Sequence, residues 1–340
     1  MNRATIAVSA LLVLAACSTG ATTTDVDSLP PQPDAPAQPV TRSPASSPDA
    51  TVSIETTTTP GRLTPPPCIA PPGDEIATSS GRRIVLRTNG IVSSAPTVLV
   101  LHGFTGTPNG IERVANLTAA SNAAGVVVAY PQGSPATPGG FAWNSGASVF
   151  ASSDIDDGSG LVDMIDAMIA TGCVERSRLV IAGESNGAGM TLAALCDKRF
   201  DGVFRSAVMV VPAVDDGVLA PCADFIDQAV SITAIAGLLD KTTPFDGGNG
   251  LLAQPQWFDQ VAKARGCTDV DDAIRLTELT ERFVATGCGS CTDLITVADG
   301  PHTWPGSPET NGDLVSGSFD LNRRIIAEVL APAAGCLADR

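Results

Sequence analysis

Seven short apolar runs constrain this chain more than any other feature. They are Ile84–Arg87, Thr97–Leu101 (TVLVL), Val126–Tyr130 (VVVAY), Leu179–Ala182 (LVIA), Ala207–Val211 (AVMVV), Ile232–Ala236 and Leu294–Val297. Most are rich in β-branched residues and show no polar alternation, as expected of strands covered on both faces. Between them lie helical patterns near Ile111–Ala124, Asp156–Thr171, Asn186–Asp197, Gln256–Arg265 and Phe319–Leu330. Asp156 and Asp157 put carboxylates at a helix start, where the helix dipole favours them. Repeated strand–helix units predict an α/β class fold with a doubly wound, mostly parallel sheet.

The segment before these runs has another character. Ile6 to Ala16 is an apolar stretch of 11 residues behind Arg3, and a membrane-spanning helix needs about 20. It reads as the core of a signal peptide. It ends Leu14-Ala15-Ala16-Cys17, which resembles a bacterial lipobox with Cys17 as the lipidated residue. Acyl and diacylglyceryl chains on one cysteine supply the two hydrophobic signals that stable anchoring needs. Ser18 to Pro67 is rich in Thr, Pro, Ser and Ala and has no aromatic residue, so it cannot bury enough apolar surface to offset its ordering entropy. The expected organisation is a signal peptide over 1–16, a lipidated, disordered tether over 17–67 and a catalytic domain over 68–340. The expected location is the extracytoplasmic side of the cell membrane, with some secreted protein.

Composition removes several functions. Lys and Arg number 20 against 36 Asp and Glu, for a formal charge of −16. Such a surface disfavours nucleic acid, which needs clustered cations. The eight cysteines beyond Cys17 suit disulfides in an exported body. Cys288-Gly-Ser-Cys291 has no second CxxC to complete a zinc site, so no metal and no cofactor is expected. A monomer is expected.

The chain holds only two histidines, His102 and His302, and both belong to the chemistry. Gly183-Glu184-Ser185-Asn186-Gly187 fits G-x-S-x-G, and its context is a buried strand leading in and a helix leading out. That is the strand–turn–helix elbow that exposes a serine nucleophile. A serine hydroxyl needs a base. His302 follows the strand 294–297, whereas His102 ends the strand TVLVL in a loop where an oxyanion N–H arises. The chain order Ser, Asp, His favours His302 as base and leaves His102 to order its loop. Asp240, just past the strand 232–236, is the acid expected to complete the set, with Asp299 as its rival.

The pieces LHGFTGT (101–107), AYPQG (129–133), Trp143-Asn144, Asp156-Asp157, GESNGAGM (183–190), LLDKTTPF (238–245) and GPHTWPG (300–306) resemble the α/β-hydrolase esterases of the polyhydroxybutyrate depolymerase and feruloyl/acetylxylan esterase group, especially its exported lipoproteins. The resemblance implies Ser185 as nucleophile, Asp240 as acid and His302 as base. It implies backbone N–H donors at Phe104 and Asn186 for the oxyanion, and Trp143 and Trp304 lining the substrate cleft. Where relatives often carry His-Gly before the acid, this chain has Ala236-Gly237. The expected activity is hydrolysis of carboxylic esters that falls as pH drops through about 6–7, because a protonated base cannot act. About 20 residues between Val211 and Ile232 leave no room for a large lid. Only ten residues follow Leu330, so no polymer-binding module is expected, and short-chain or aromatic-acid esters are favoured. Two other readings are a cell-envelope acyltransferase on the same triad and a non-catalytic binding lipoprotein.

Overall fold

The structure, a computed structural model, describes residues 67–137, 140–148, 155–308 and 319–331. The signal peptide, Cys17, nearly all of the tether and Cys336 lie outside them. Among the described residues no helix is long and apolar enough to cross a membrane.

The strands are β1 (Glu75–Ala77), β2 (Arg83–Arg87), β3 (Ala95–Leu101), β4 (Val127–Pro131), β5 (Ser134–Thr137), β6 (Gly140–Ala142), β7 (Val174–Glu184), β8 (Ser206–Val210), β9 (Ser231–Gly237), β10 (Asp269–Val270), β11 (Ile274–Thr277), β12 (Thr280–Thr286) and β13 (Thr292–Val297). The helices are α1 (Pro108–Ala115), α2 (Leu117–Ala124), α3 (Asp157–Ala170), α4 (Asn186–Leu195), α5 (Asp216–Leu219), α6 (Gln254–Ala264) and α7 (Leu321–Leu330). One sheet runs in the order β1-β2-β4-β3-β7-β8-β9-β13-β12-β10, with β11 also on β12. The run from β4 to β13 is parallel, and both ends of the sheet are antiparallel.

The seven apolar runs all form strands, and alternate residues of each central strand feed two separate cores. Leu99, Leu101, Ile181 and Met209 pack with α3, α4 and α6, through Leu161, Met164, Leu192 and Trp257. Val98, Val100, Val180, Val208 and Val210 pack with α1, α2 and α7, through Ile111, Leu117, Leu321 and Ile325. A continuous apolar run is what a strand needs when both faces are covered.

The helix expected over 111–124 is two helices. Asn116 sits at φ 48° and ψ 33° between α1 and α2, a conformation asparagine tolerates at a helix end. Asn322 from α7 donates to the carbonyls of Ala115 and Asn116 at 2.8 and 3.3 Å. The break is therefore closed by a residue some 200 positions away.

The strands β10, β11 and β12 escape the hydrophobic pattern because, on an antiparallel edge, β10 and β11 are mostly exposed and β12 mixes buried with half-buried positions. Arg282 on β12 and Arg324 on α7 both meet Asp293 of β13, at 2.6 and 3.0 Å, with all three side chains buried. The connection from β8 to β9 contains only the four-residue α5 and a short 3₁₀ turn, in keeping with a fold that lacks a large lid there. Disulfides join Cys68–Cys173, Cys196–Cys222 and Cys267–Cys288, and Cys291 is also disulfide-bonded. The CxxC is thus not an internal pair.

Candidate active site

The loops that matter all leave the C-terminal ends of the parallel strands. Ser185 stands between β7 and α4 at φ 54° and ψ −117°, the sharp turn expected of an elbow. Its N–H donates to Val210 O at 2.9 Å, and its carbonyl accepts from Gly189 N and Ala213 N at 3.0 and 3.1 Å. The turn is held by backbone alone. A Cβ at Gly187 would stand 2.5 Å from the carbonyl oxygens of both Leu101 and His102, and one at Gly183 would strike the backbone of Gly187. Those two glycines are required by close approach. The Ser185 hydroxyl makes no hydrogen bond among the described residues, and 7% of the residue is accessible.

Asp240 and His302 leave the adjacent parallel strands β9 and β13, in register at Gly237 and Val297. Leu238 N donates to Val297 O at 3.0 Å and Leu239 N to Gly300 O at 2.9 Å, which pins the two loops together. A Cβ at Gly237 would meet Pro301 O at 3.0 Å and the carbonyl of Gly300 closer still. Glycine is therefore the part of the Ala236-Gly237 pair that the geometry needs.

His302 Nδ1 donates to Asp240 Oδ2 at 2.8 Å. Asp240 further accepts from Thr242 N, Thr243 N and Thr243 Oγ1, each at 2.8 Å. Burial by itself raises the Asp240 pKa, but the hydrogen bonds from His302 and Thr243 outweigh it and hold the carboxylate below its ordinary range. With Nδ1 engaged, His302 Nε2 is the nitrogen left to take a proton. Thr243 is the positioning residue that sequence reasoning missed. Its spacing of three from Asp240, typical of a carboxylate-capped turn, was the available signal. Its hydroxyl has a second acceptor in Val211 O at 3.2 Å. Val211 itself has φ 42°, a strained position for a β-branched residue.

His102 has the opposite surroundings. Its Nδ1 donates to Gly103 O at 2.8 Å, its Nε2 accepts from Gly133 N at 3.1 Å, and its carbonyl accepts from Trp143 Nε1 at 3.0 Å. Burial lowers its pKa to about 4, with the Gly103 carbonyl and Asp157 opposing. Both ring nitrogens are occupied, so no position remains for a proton from serine.

One expectation is corrected. Trp143 and Trp304 are fully buried and line no cleft. The Trp143 ring lies tilted at 38° against His102, 5.3 Å between centroids, and Asn186 clasps its backbone from both sides, accepting from Trp143 N at 2.7 Å and donating to Trp143 O at 2.9 Å. Trp304 Nε1 donates to Asn322 Oδ1 at 3.0 Å. Each indole N–H finds a partner inside, which makes full burial affordable. Asp156 caps α3 as expected. Asp157 is the first residue of α3, also as expected, and its carboxylate accepts from Ser134 Oγ at 2.7 Å and Asn144 N at 2.6 Å and pairs with Arg82 at 2.6 Å.

The expected oxyanion donors are Asn186, next to Ser185 in the chain, and Phe104, in the loop after β3. Asn186 opens α4, so its N–H has no intrahelical partner. Phe104 is 42% exposed in the loop after β3. A Cβ at its neighbour Gly103 would stand 3.4 Å from Ser185 Cβ, which puts that loop against the nucleophile. The carboxylate that His302 Nδ1 meets is that of Asp240.

The model of the prolyl oligopeptidase family (Peptidase_S9) matches residues 113–217. No curated protein matches the chain by sequence. Among solved structures the chain is similar to the acetyl xylan esterase from Aspergillus awamori, at 15% identity and a TM-score of 0.50 over 67% of this chain and 93% of that one. It is also similar to the S-formylglutathione hydrolase from Agrobacterium tumefaciens, at 15% identity and a TM-score of 0.47 over 68% and 87%. The chain has the α/β-hydrolase fold, and the family match over residues 113–217 agrees with it.

Proposed function

We propose that this chain is an exported, lipid-anchored serine esterase acting on short-chain, hydroxyalkanoate or aromatic-acid esters, including those borne on polysaccharide. The observation that carries the reading is the 2.8 Å bond from His302 Nδ1 to Asp240, in a molecule whose Ser185 stands on a strained elbow. Ser185 Oγ attacks the ester carbonyl while His302 Nε2 takes its proton. Asp240 keeps the imidazole in the tautomer that can do so and stabilises the imidazolium that forms. The N–H groups of Phe104 and Asn186 receive the oxyanion, each worth roughly 3–4 kcal/mol in comparable sites. His302 then protonates the leaving alcohol, and water resolves the acyl-enzyme by the same route. Acyl transfer to an envelope hydroxyl uses the same steps with another acceptor.

Anchoring rests on Leu14-Ala15-Ala16-Cys17 and the aromatic-free tether. Incorporation of labelled fatty acid into the full chain, lost in Cys17→Ser, is the expected result. For the chemistry, a p-nitrophenyl ester panel from acetate to laurate, methyl ferulate and a p-nitroanilide is run on wild type and Ser185→Ala. Ester turnover is expected in wild type alone; equal turnover by both proteins overturns the assignment.

A further inference from the structure

Glu184, immediately before the nucleophile, has no part in the mechanism above. Its side chain lines a cleft of about 430 Å³, together with Gly103, Phe104, Thr107, Arg113 and Val114. This cleft lies between the loop after β3 and α1, and Gly103 on its wall is the residue that approaches the nucleophile. A Cβ at Gly103 would be 3.4 Å from Ser185 Cβ and 3.8 Å from Glu184 Oε2, so the serine and the carboxylate flank the same glycine of the cleft wall.

No protein group among the described residues hydrogen-bonds the Glu184 carboxylate, whereas Asp156, Asp157, Asp215, Asp240 and Asp293 are each held by several donors. A half-buried acceptor with unfilled capacity carries a desolvation cost that a donor on a ligand removes. Burial raises the Glu184 pKa, with His302 opposing and Asp240 adding to the rise, as expected of a carboxylate close to the Asp–His pair without a partner of its own. The only cation on the cleft wall, Arg113, is exposed and donates to Asn109 O at 3.1 Å.

We propose that Glu184 is a specificity-determining residue: its carboxylate accepts from a hydroxyl donor, or attracts a quaternary ammonium by charge, on the ester seated beside Ser185, and it rejects an ester bearing an anion there. This rests on the esterase reading and adds to it a selection by charge and hydrogen bonding.

The test measures kcat/KM at pH 8 by pH-stat titration on two ester series. The acyl series is methyl butyrate, methyl 3-hydroxybutyrate, monomethyl succinate and carnitine methyl ester. The alcohol series is 3,3-dimethylbutyl acetate, glycerol monoacetate, 3-acetoxypropanoate and acetylcholine. In one series, wild type is expected to prefer a donor-bearing ester over its neutral partner, and to disfavour the anionic one, by about tenfold or more each. The responsive series identifies which half of the ester occupies the cleft. Glu184→Gln is expected to relax the anionic-to-neutral ratio about tenfold, and Glu184→Leu to abolish the donor preference as well. Ratios within one protein cancel any loss of folded enzyme, and fluorophosphonate labelling of Ser185 counts the active sites. Unchanged ratios in both variants, with neutral esters still turned over, overturn the proposal alone. No turnover of any ester by wild type overturns it together with the esterase reading.

Discussion

The loops after β3 and β13 each place one histidine at the C-terminal edge of the same parallel sheet, and they use it in opposite ways. His102 is buried, spends both ring nitrogens on backbone partners and remains neutral down to about pH 4. His302 is partly exposed, gives one nitrogen to a carboxylate and keeps the other available. The difference lies in the partner. A carbonyl acceptor fixes a ring in place, whereas a carboxylate also stabilises the cation that a base becomes.

The most severe way to break this comparison is to exchange the roles. His302→Ala is expected to lower kcat at least about 10⁴-fold with the fold retained, measured on p-nitrophenyl acetate beside a circular-dichroism melt. His102→Asn is expected to lose less activity and more stability. The reverse pattern would make His102 the base.

The carboxylate comes next. Asp240→Asn is expected to lower kcat by about 10³–10⁴-fold, since the amide cannot favour the required tautomer. Thr243→Val, which removes one of four hydrogen bonds to Asp240, is expected to cost about tenfold. If Thr243→Val matches Asp240→Asn, Thr243 is doing more than positioning.

The buried histidine also sets an acid limit on stability. Unfolded His102 titrates near the ordinary histidine value of 6.5, whereas burial lowers the folded value to about 4. Between these pH values the unfolded chain holds a proton that the native one does not. Stability therefore falls as pH drops from about 6.5 to 4, by up to roughly 3 kcal/mol. Asp240 has a depressed pKa, so its contribution is present above its unfolded value of 3.8 and is lost only in stronger acid. Urea denaturation from pH 7 to 4 is expected to show the fall, and to show it flattened in His102→Gln; equal slopes would remove His102 as its cause.

The smallest effect sharpens the correction at Trp143. Trp143→Phe is expected to cost about 1–2 kcal/mol, because it leaves the His102 carbonyl without its indole donor, while KM ratios across an ester panel stay level. A ratio that moves with acyl size would return the ring to the substrate cleft.

Much of this organisation was readable in the chain. An apolar run that lacks alternation can only be a strand with two covered faces, and all seven runs are strands. The elbow was readable because Gly183, Ser185 and Gly187 lie within one turn, where local sterics leave few alternatives. The polar edge strands were not readable, because Arg282 is buried against Asp293, which lies across a strand pair. Nor was the helix break at Asn116, whose carbonyls are satisfied by Asn322.

By itself, then, the sequence determined the parallel sheet, the elbow and the short list of two histidines, because each depends on residues within a few positions of one another. Tertiary structure decided which histidine meets a carboxylate, which tryptophans are core, how the cysteines pair and where Glu184 faces. Those outcomes depend on what the fold brings alongside each group from distant parts of the chain, and on how much water it leaves there.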